Sequence, residues 1–270
     1  MDLSRTLDQV RKAVAEAGAK ILEIYADPSR FDTETKDDDS PLTAADVASN
    51  NMLVARLREI APEIPILSEE SKQAPWSERR HWKQCWVVDP LDGTKEFLKR
   101  NDEFTVNVAL VRDHKPILGV VYAPALQRWY YAARNEGAWR QHGGKVVEQI
   151  HVAEKIHDRP WRVVGSRSHN TAAVDAFVDA LGDAEMLAMG SSLKLCLVAD
   201  GSADVYPRLG PTSEWDTAAA QAVVEEAGGQ VLDAETGKSL TYNARESILN
   251  PHFIVCGQAD PAWFPASRPA

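Results

Sequence analysis

The 270-residue sequence predicts a layered fold, an α+β half with an antiparallel sheet followed by an α/β half. Three observations predict it. Apolar residues near the N-terminus recur at helical spacing. β-type runs from Thr105 to about Ile150 are joined by turns too short for crossovers. After residue 160, strand-like and helix-like segments alternate. Short turns favour antiparallel neighbours, and alternation of the two element types favours an α/β sheet. No linker, repeat or low-complexity segment interrupts the chain. It therefore reads as one domain over 1–270, with approximate halves 1–155 and 156–270.

Taken in order, Leu3, Leu7, Val10, Val14, Ala17, Ile21 and Ile24 mark an amphipathic helix over the first two dozen residues. "TKDDDSPLT" is charged and broken by proline, and reads as a loop. Thr43 to Asp46 resembles an acidic capping box that opens a second helix through Met52, Leu53, Leu57 and Ile60. "EIPILSEES" alternates Ile64 and Ile66 into a short strand ending at Glu69 and Glu70, and "CWVVD" is a further strand. "FTVNVALVRD", "ILGVVYA" and "RWYYAAR" form the antiparallel meander. Beyond it, a helix from about Thr171 to Ala180 and another in "DTAAAQAVVEEAGG" alternate with the apolar runs "WRVVGS", "EMLAMGS", "LKLCLVA", "ADVYPRL", "QVLDA" and "HFIVCG".

Composition narrows the function classes. A net charge of -10 argues against a surface that coats a nucleic acid polymer, which needs excess Lys and Arg. It leaves small phosphorylated ligands open, because a bound cation can invert the local field. Three scattered cysteines, without CxxC, fit a reducing, cytoplasmic setting. No stretch approaches the roughly 18–20 apolar residues of a transmembrane segment. A phosphate loop, a GxGxxG turn, an HExxH pair and a GxSxG elbow are all missing.

The chemistry concentrates in three acidic stretches. In "WVVDPLDGTKEFL" a strand through Val87 and Val88 is expected to stop at Asp89, where Pro90 ends ladder donation. Asp92, Gly93 and Thr94 look like the start of a helix, with a cap-type residue and outward N–H groups. Two carboxylates and the Leu91 carbonyl suit a hard cation such as Mg²⁺. The competing reading gives Asp89 and Asp92 only structural work, as strand end and helix cap. Glu69-Glu70 reads either as an exposed acidic turn or as carboxylates bridged by a cation. Asp216, in "SEWDTAAAQAVVEEAGG", reads either as a helix N-cap or as a further ligand, and Trp215 as packing.

"LSEES", "WVVDPLDGTKEF" and "EWDTAAAQAVVEEAGG" together resemble, in order and over essentially the whole chain, the metal-binding motifs of the inositol monophosphatase superfamily of Mg²⁺-dependent, lithium-sensitive phosphatases. The resemblance implies a layered αβαβα sandwich. It also implies two or three Mg²⁺ ions on Glu69, Asp89, the Leu91 carbonyl, Asp92 and Asp216. Thr94 and Glu69 would orient the attacking water, with Asp46 polarising the Thr94 hydroxyl, and Gly93 and Thr94 N–H groups would hold the phosphate. Hydrolysis would be direct, without a phospho-enzyme.

Lys95-Glu96 after the DGT stretch, and Lys194 and Arg208 flanking Tyr206-Pro207, resemble the 3'(2'),5'-bisphosphate nucleotidases of CysQ type within that superfamily. The resemblance implies hydrolysis of 3'-phosphoadenosine 5'-phosphate to AMP, with the corresponding phosphosulfate as a further candidate and a place in sulfur assimilation. Lys194 and Arg208 would meet the second phosphate, and Ser166 in "GSRSH" would contact the nucleotide. The substrate set would be Glu69, Leu91, Asp92, Gly93, Thr94, Ser166, Lys194, Arg208 and Asp216, in a monomer or homodimer. An inositol or sugar monophosphatase, and a non-catalytic nucleotide-binding module, are the alternatives.

Overall fold

α1 (Leu3–Tyr25) buries Leu7, Val10, Val14, Ala17, Ile21 and Ile24 on one side, as their spacing requires, and Asp2 caps it by accepting the Arg5 N–H at 3.1 Å. The computed structural model describes residues 1–31, 33–35, 41–154, 159–165 and 171–264. β1 (Glu34–Thr35) and β2 (Pro41–Leu42) form a two-residue antiparallel pair on either side of residues 36–40, so the ends of the expected loop are paired. α2 (Ala44–Ile60) opens on the expected capping box. Asp46 Oδ2 accepts the Thr43 N–H at 2.8 Å and the Thr43 hydroxyl at 2.6 Å.

β3 (Ile66–Ser68) starts two residues later than the Ile64–Ile66 alternation suggested, since Ile64 is buried in the turn before it. After the single turn of α3 (Trp76–Arg79), β4 (Gln84–Asp92) runs beside β3 in parallel. α4 (Thr94–Lys99) is followed by the meander of β5 (Thr105–Arg112), β6 (Lys115–Ala123), β7 (Arg128–Ala133), β8 (Gly137–His142) and β9 (Glu148–Ile150). The seven strands lie in the order β3-β4-β5-β6-β7-β8-β9, antiparallel from β4 onward. Two strands beyond the quoted runs, β8 and β9, extend the predicted sheet.

The second sheet is built from β10 (Trp161–Gly165), β11 (Ala184–Ala188), β12 (Val205–Arg208), β13 (Gln230–Asp233) and β14 (Phe253–Cys256). Its order is β11-β10-β12-β14-β13; β10 is parallel to β11 and β12, and β14 is antiparallel to β12 and β13. Three helices accompany it: α5 (Ala172–Leu181), α6 (Leu193–Ala199) and α7 (Glu214–Glu226). The run "LKLCLVA" is α6. It is apolar at almost every position, so it carries no period to separate helix from strand.

Side-chain alternation sorts these elements into five layers. Trp86, Val88, Val106, Val108 and Leu110 face α1 and α2, forming one core with Val10, Val14 and Leu53. The opposite face, through Val87, Ala109, Val121 and Tyr130, packs on α6 and α7, which are covered in turn by Tyr206, Val231 and Val255 of the second sheet. Val163, Val205 and Ile254 on its far side meet Phe177 and Val178 of α5. The result is the expected αβαβα sandwich. Gly119 brings β6 against α7 so closely that a Cβ there would lie 2.1 Å from the Ala219 carbonyl oxygen.

Candidate active site

The strand bearing Asp89 does not end there, which corrects the expectation from Pro90. β4 bulges between Asp89 and Asp92 and resumes pairing at Asp92 with Thr105. The bulge lets Pro90 sit in the ladder without donating, and its carbonyl accepts the Ser49 hydroxyl of α2 at 2.7 Å. Asp89 Oδ1 accepts the Leu91 N–H at 3.0 Å, which fixes the carboxylate inside the bulge.

Asp92 is not the helix cap. Gly93 holds that position at φ +90°, a conformation that glycine adopts without strain. Freed from capping, Asp92 reaches across to the loop before α6, where its Oδ2 accepts the Ser192 N–H at 2.6 Å. Asp216 is likewise not an N-cap. Ser213 caps α7, and Asp216, three residues on, accepts the Ser213 N–H at 2.9 Å. Asp46 and Asp216 thus occupy the same capping-box position on α2 and α7. Each spends one carboxylate oxygen on its helix, and the charge of each acts on Asp89.

Glu69 follows β3 directly, with its N–H on the Val88 carbonyl at 3.2 Å, so it stands beside β4 where the bulge begins. Asn50 of α2 braces this acidic turn by donating to the Glu70 carbonyl at 3.4 Å and accepting the Ser68 hydroxyl at 2.7 Å. Thr94 Oγ1 lies 3.2 Å from Asp46 Oδ1 and 3.5 Å from the Leu91 carbonyl.

Electrostatically these carboxylates form one unit. Burial lifts the Asp89 carboxyl well above the usual carboxylate range, and the charges of Glu69, Asp92, Asp216 and Asp46 push it further. Burial and Asp92 push Asp216 up to about 8. Asp92 is also raised by burial, with Lys194 as the main opposing influence. Among the described residues no three acidic, histidine or cysteine side chains already stand as a closed ion cage. Their mutual repulsion has the sign that a divalent cation would relieve. The donors are hard carboxylate and carbonyl oxygens, a set that fits Mg²⁺ better than zinc. Glu69, Asp89, the Leu91 carbonyl, Asp92 and Asp216 are the groups that could hold it.

Lys194 and Arg208, far apart in sequence, line one cavity of about 80 Å³ with Asp92 and Asp216. The Lys194 ammonium sits over the Tyr206 ring at 5.8 Å, and burial lowers its pKa, with Arg208 adding to the effect. Arg208 donates Nη2 to the Pro211 carbonyl at 2.8 Å, while its Nε is buried and has no hydrogen-bond partner among the described residues. A buried guanidinium donor in that state suits a ligand oxygen. Lys95 is exposed, whereas Glu96 lies against Gly93 and Gly190. Ser166 falls outside the described residues, as does most of "GSRSH".

Ser191 and Ser192, which the sequence reading passed over, complete the cavity. Thr105 Oγ1 is 2.8 Å from both hydroxyls, and Ser192 donates to Asn107 Oδ1 at 2.8 Å. The signal was present: "GSS" directly ahead of an apolar run is helix-start chemistry.

With this geometry in place, likeness to known proteins is informative. The model of the inositol monophosphatase family matches residues 2–261. The chain is 49% identical to the 3'(2'),5'-bisphosphate nucleotidase CysQ of Salmonella typhimurium over 249 residues, covering 92% of this chain and 98% of that one. The crystal structure of CysQ from Bacteroides thetaiotaomicron, a bacterial member of the inositol monophosphatase family, superposes with a TM-score of 0.83 at 40% identity, covering 95% of this chain and 98% of that one. The inositol monophosphatase of Anabaena superposes with a TM-score of 0.75 at 25% identity, covering 95% and 92%.

Proposed function

The chain belongs to the inositol monophosphatase family, and from that premise we propose that it is a phosphatase of bisphosphorylated nucleotides, a 3'(2'),5'-bisphosphate nucleotidase. Its preferred reaction is removal of the 3'-phosphate of 3'-phosphoadenosine 5'-phosphate to give AMP and phosphate, with the corresponding phosphosulfate as a second substrate. The observation that carries this reading is the shared cavity, in which two cationic side chains, Lys194 and Arg208, stand beside the carboxylates Asp92 and Asp216. A substrate with two phosphates needs one group at the reacting centre and cations for the other. The names of the relatives point the same way.

In this reading the scissile phosphate lies at Gly93 and Thr94, whose N–H groups hold it. Glu69, Asp89, the Leu91 carbonyl, Asp92 and Asp216 would hold Mg²⁺, which when bound would supply positive charge for the phosphoryl oxygens and lower the pKa of water. Because the Thr94 hydroxyl donates to Asp46, its oxygen is left to accept a hydrogen bond from the attacking water. Glu69 accepts a hydrogen bond from the water's other hydrogen and completes its orientation. Arg208 Nε and the Lys194 ammonium bind the second phosphate, and Tyr206 supports the lysine from below. Water attacks phosphorus directly as the bond from phosphorus to the 3'-oxygen breaks; one proton of the water ends on that departing oxygen, the other stays with the phosphate, and no enzyme side chain becomes phosphorylated.

The fold likeness to an inositol monophosphatase keeps a sugar-phosphate substrate as the second reading. A module that only binds nucleotide would have no use for the Thr94–Asp46 hydrogen bond.

Lys194→Ala separates the substrate readings. It is expected to raise KM for the bisphosphorylated nucleotide about tenfold or more, with little change for a nucleoside monophosphate. Equal losses for both would remove Lys194 from the second phosphate pocket.

A further inference from the structure

At the opposite end of α6 from Lys194 there is a second cavity, of about 270 Å³. Its floor is the face of β7 and β8 that turns toward α6. Arg128 pairs across the strands with His142, and Tyr130 with Arg140, so the four side chains share that face. Asp200 and Ser202, just past α6, close one side, and Lys145 closes another.

The charge in this cavity runs against that of the molecule. Three permanent cations, Arg128, Arg140 and Lys145, stand against two carboxylates, Glu148 and Asp200, with His142 beside them, in a chain of net charge -10. One cation holds both carboxylates: Arg140 donates Nη2 to Glu148 at 2.8 Å and Nη1 to Asp200 Oδ2 at 2.9 Å. The Tyr130 hydroxyl donates to that same Oδ2 at 2.9 Å, and the Ser202 N–H to the other Asp200 oxygen at 3.0 Å. Glu148 also feels Lys145, more weakly than Arg140.

This brace is fixed and self-satisfied. It leaves Arg128, His142 and Lys145 around an open space, with no side-chain hydrogen bond or ion pair among the described residues. Guanidinium and ammonium donors converging on a concave, net-positive space are what an oxyanion requires.

We propose that this cavity is a second binding site, for a small oxyanion that presents a phosphate or sulfate group, held by Arg128, Lys145 and His142. Its volume lies below the roughly 300–1,000 Å³ of typical small-molecule sites, which favours an inorganic ion or small ester over a whole nucleotide. It is separate from the catalytic cavity. The seven residues of α6 stand between the two, a span of about 10 Å at the helical rise.

The test is an NMR titration of the full chain with sodium sulfate and, separately, sodium phosphate, with sodium chloride holding the ionic strength constant. Backbone amides around Arg128, residues 140–145 and residues 200–202 are expected to shift saturably. Those shifts should persist in Lys194→Ala, which removes one of the two cations of the catalytic cavity. They should weaken about tenfold or more in apparent affinity in Arg128→Gln and in the exposed-site variant Lys145→Gln. A preference for either anion supports the site and identifies its occupant. Shifts confined to residues 190–195 and 206–208, or unchanged affinity in both glutamine variants, would overturn it.

Discussion

Asp89 stands under the combined charge of the acidic cluster. It is buried, four other carboxylates act on it, and its one hydrogen bond noted above comes from the Leu91 N–H. Asparagine keeps an oxygen for that N–H while removing the charge. Asp89→Asn is therefore expected to leave a folded protein and to abolish most phosphatase activity. Near-normal turnover at saturating Mg²⁺ would contradict the ligand assignment.

The same repulsion makes stability depend on pH when a chelator has removed divalent cations. A carboxyl whose folded pKa is raised holds its proton more tightly folded than unfolded. The stability it lends is complete below its unfolded value, about 4, and is lost as pH rises through the folded value, about 8 for Asp216. Chelated protein should therefore melt at falling temperature across that window, and Mg²⁺ should restore the loss. Asp89→Asn should flatten the profile, and a wild-type profile already flat would contradict the cluster.

Thr94 has a subtler role. Thr94→Ala is expected to lower kcat by about two orders of magnitude or more with Mg²⁺ affinity retained, and Thr94→Ser to recover much of it. If serine and alanine behave alike, the hydroxyl does not orient the water.

Among the elements, β6 and α7 approach each other closely at Gly119. Because Gly119 meets the Ala219 carbonyl directly, Gly119→Ala forces the helix off the sheet. The expected cost is about 3 kcal/mol, read as a lower denaturant midpoint at unchanged m-value. An unchanged midpoint would mean that the two elements are not in contact. α7 also carries Asp216, so the variant should lose metal affinity along with stability.

Elements whose apolar residues had a clear period, α1, α2 and the meander, were legible from the sequence. Those shaped by non-local contacts were not. The bulge in β4 depends on Thr105 and Ser49, and the helical state of "LKLCLVA" on burial between two sheets. The capping boxes were half legible. Thr43 and Asp46 stand out as a pair in the sequence, whereas Asp216 could be a cap or a ligand there, and it is Ser213, three residues ahead, that takes the cap.

Over the whole molecule, the sandwich explains why one acidic cluster can be assembled from residues as distant as Glu69 and Asp216. α7 belongs by sequence to the second half, yet it packs on the first sheet and so brings Asp216 to Asp92. The acidic motifs could be found one at a time in the sequence. Their convergence was an inference from resemblance, and the cavity joining Lys194, Arg208 and Ser191 required the folded chain. Lys95, which with Glu96 pointed to a nucleotide in the sequence, is exposed, and it is Lys194 and Arg208 that line the cavity beside Asp92 and Asp216.

The most direct test is to measure kcat/KM for phosphate release from 3'-phosphoadenosine 5'-phosphate and from inositol 1-phosphate, each with Mg²⁺ and with a chelator. Mg²⁺-dependent release of the 3'-phosphate, with the nucleotide preferred by about a hundredfold or more, is the predicted result. Equal or greater efficiency on the inositol phosphate, or release undiminished by the chelator, would contradict it.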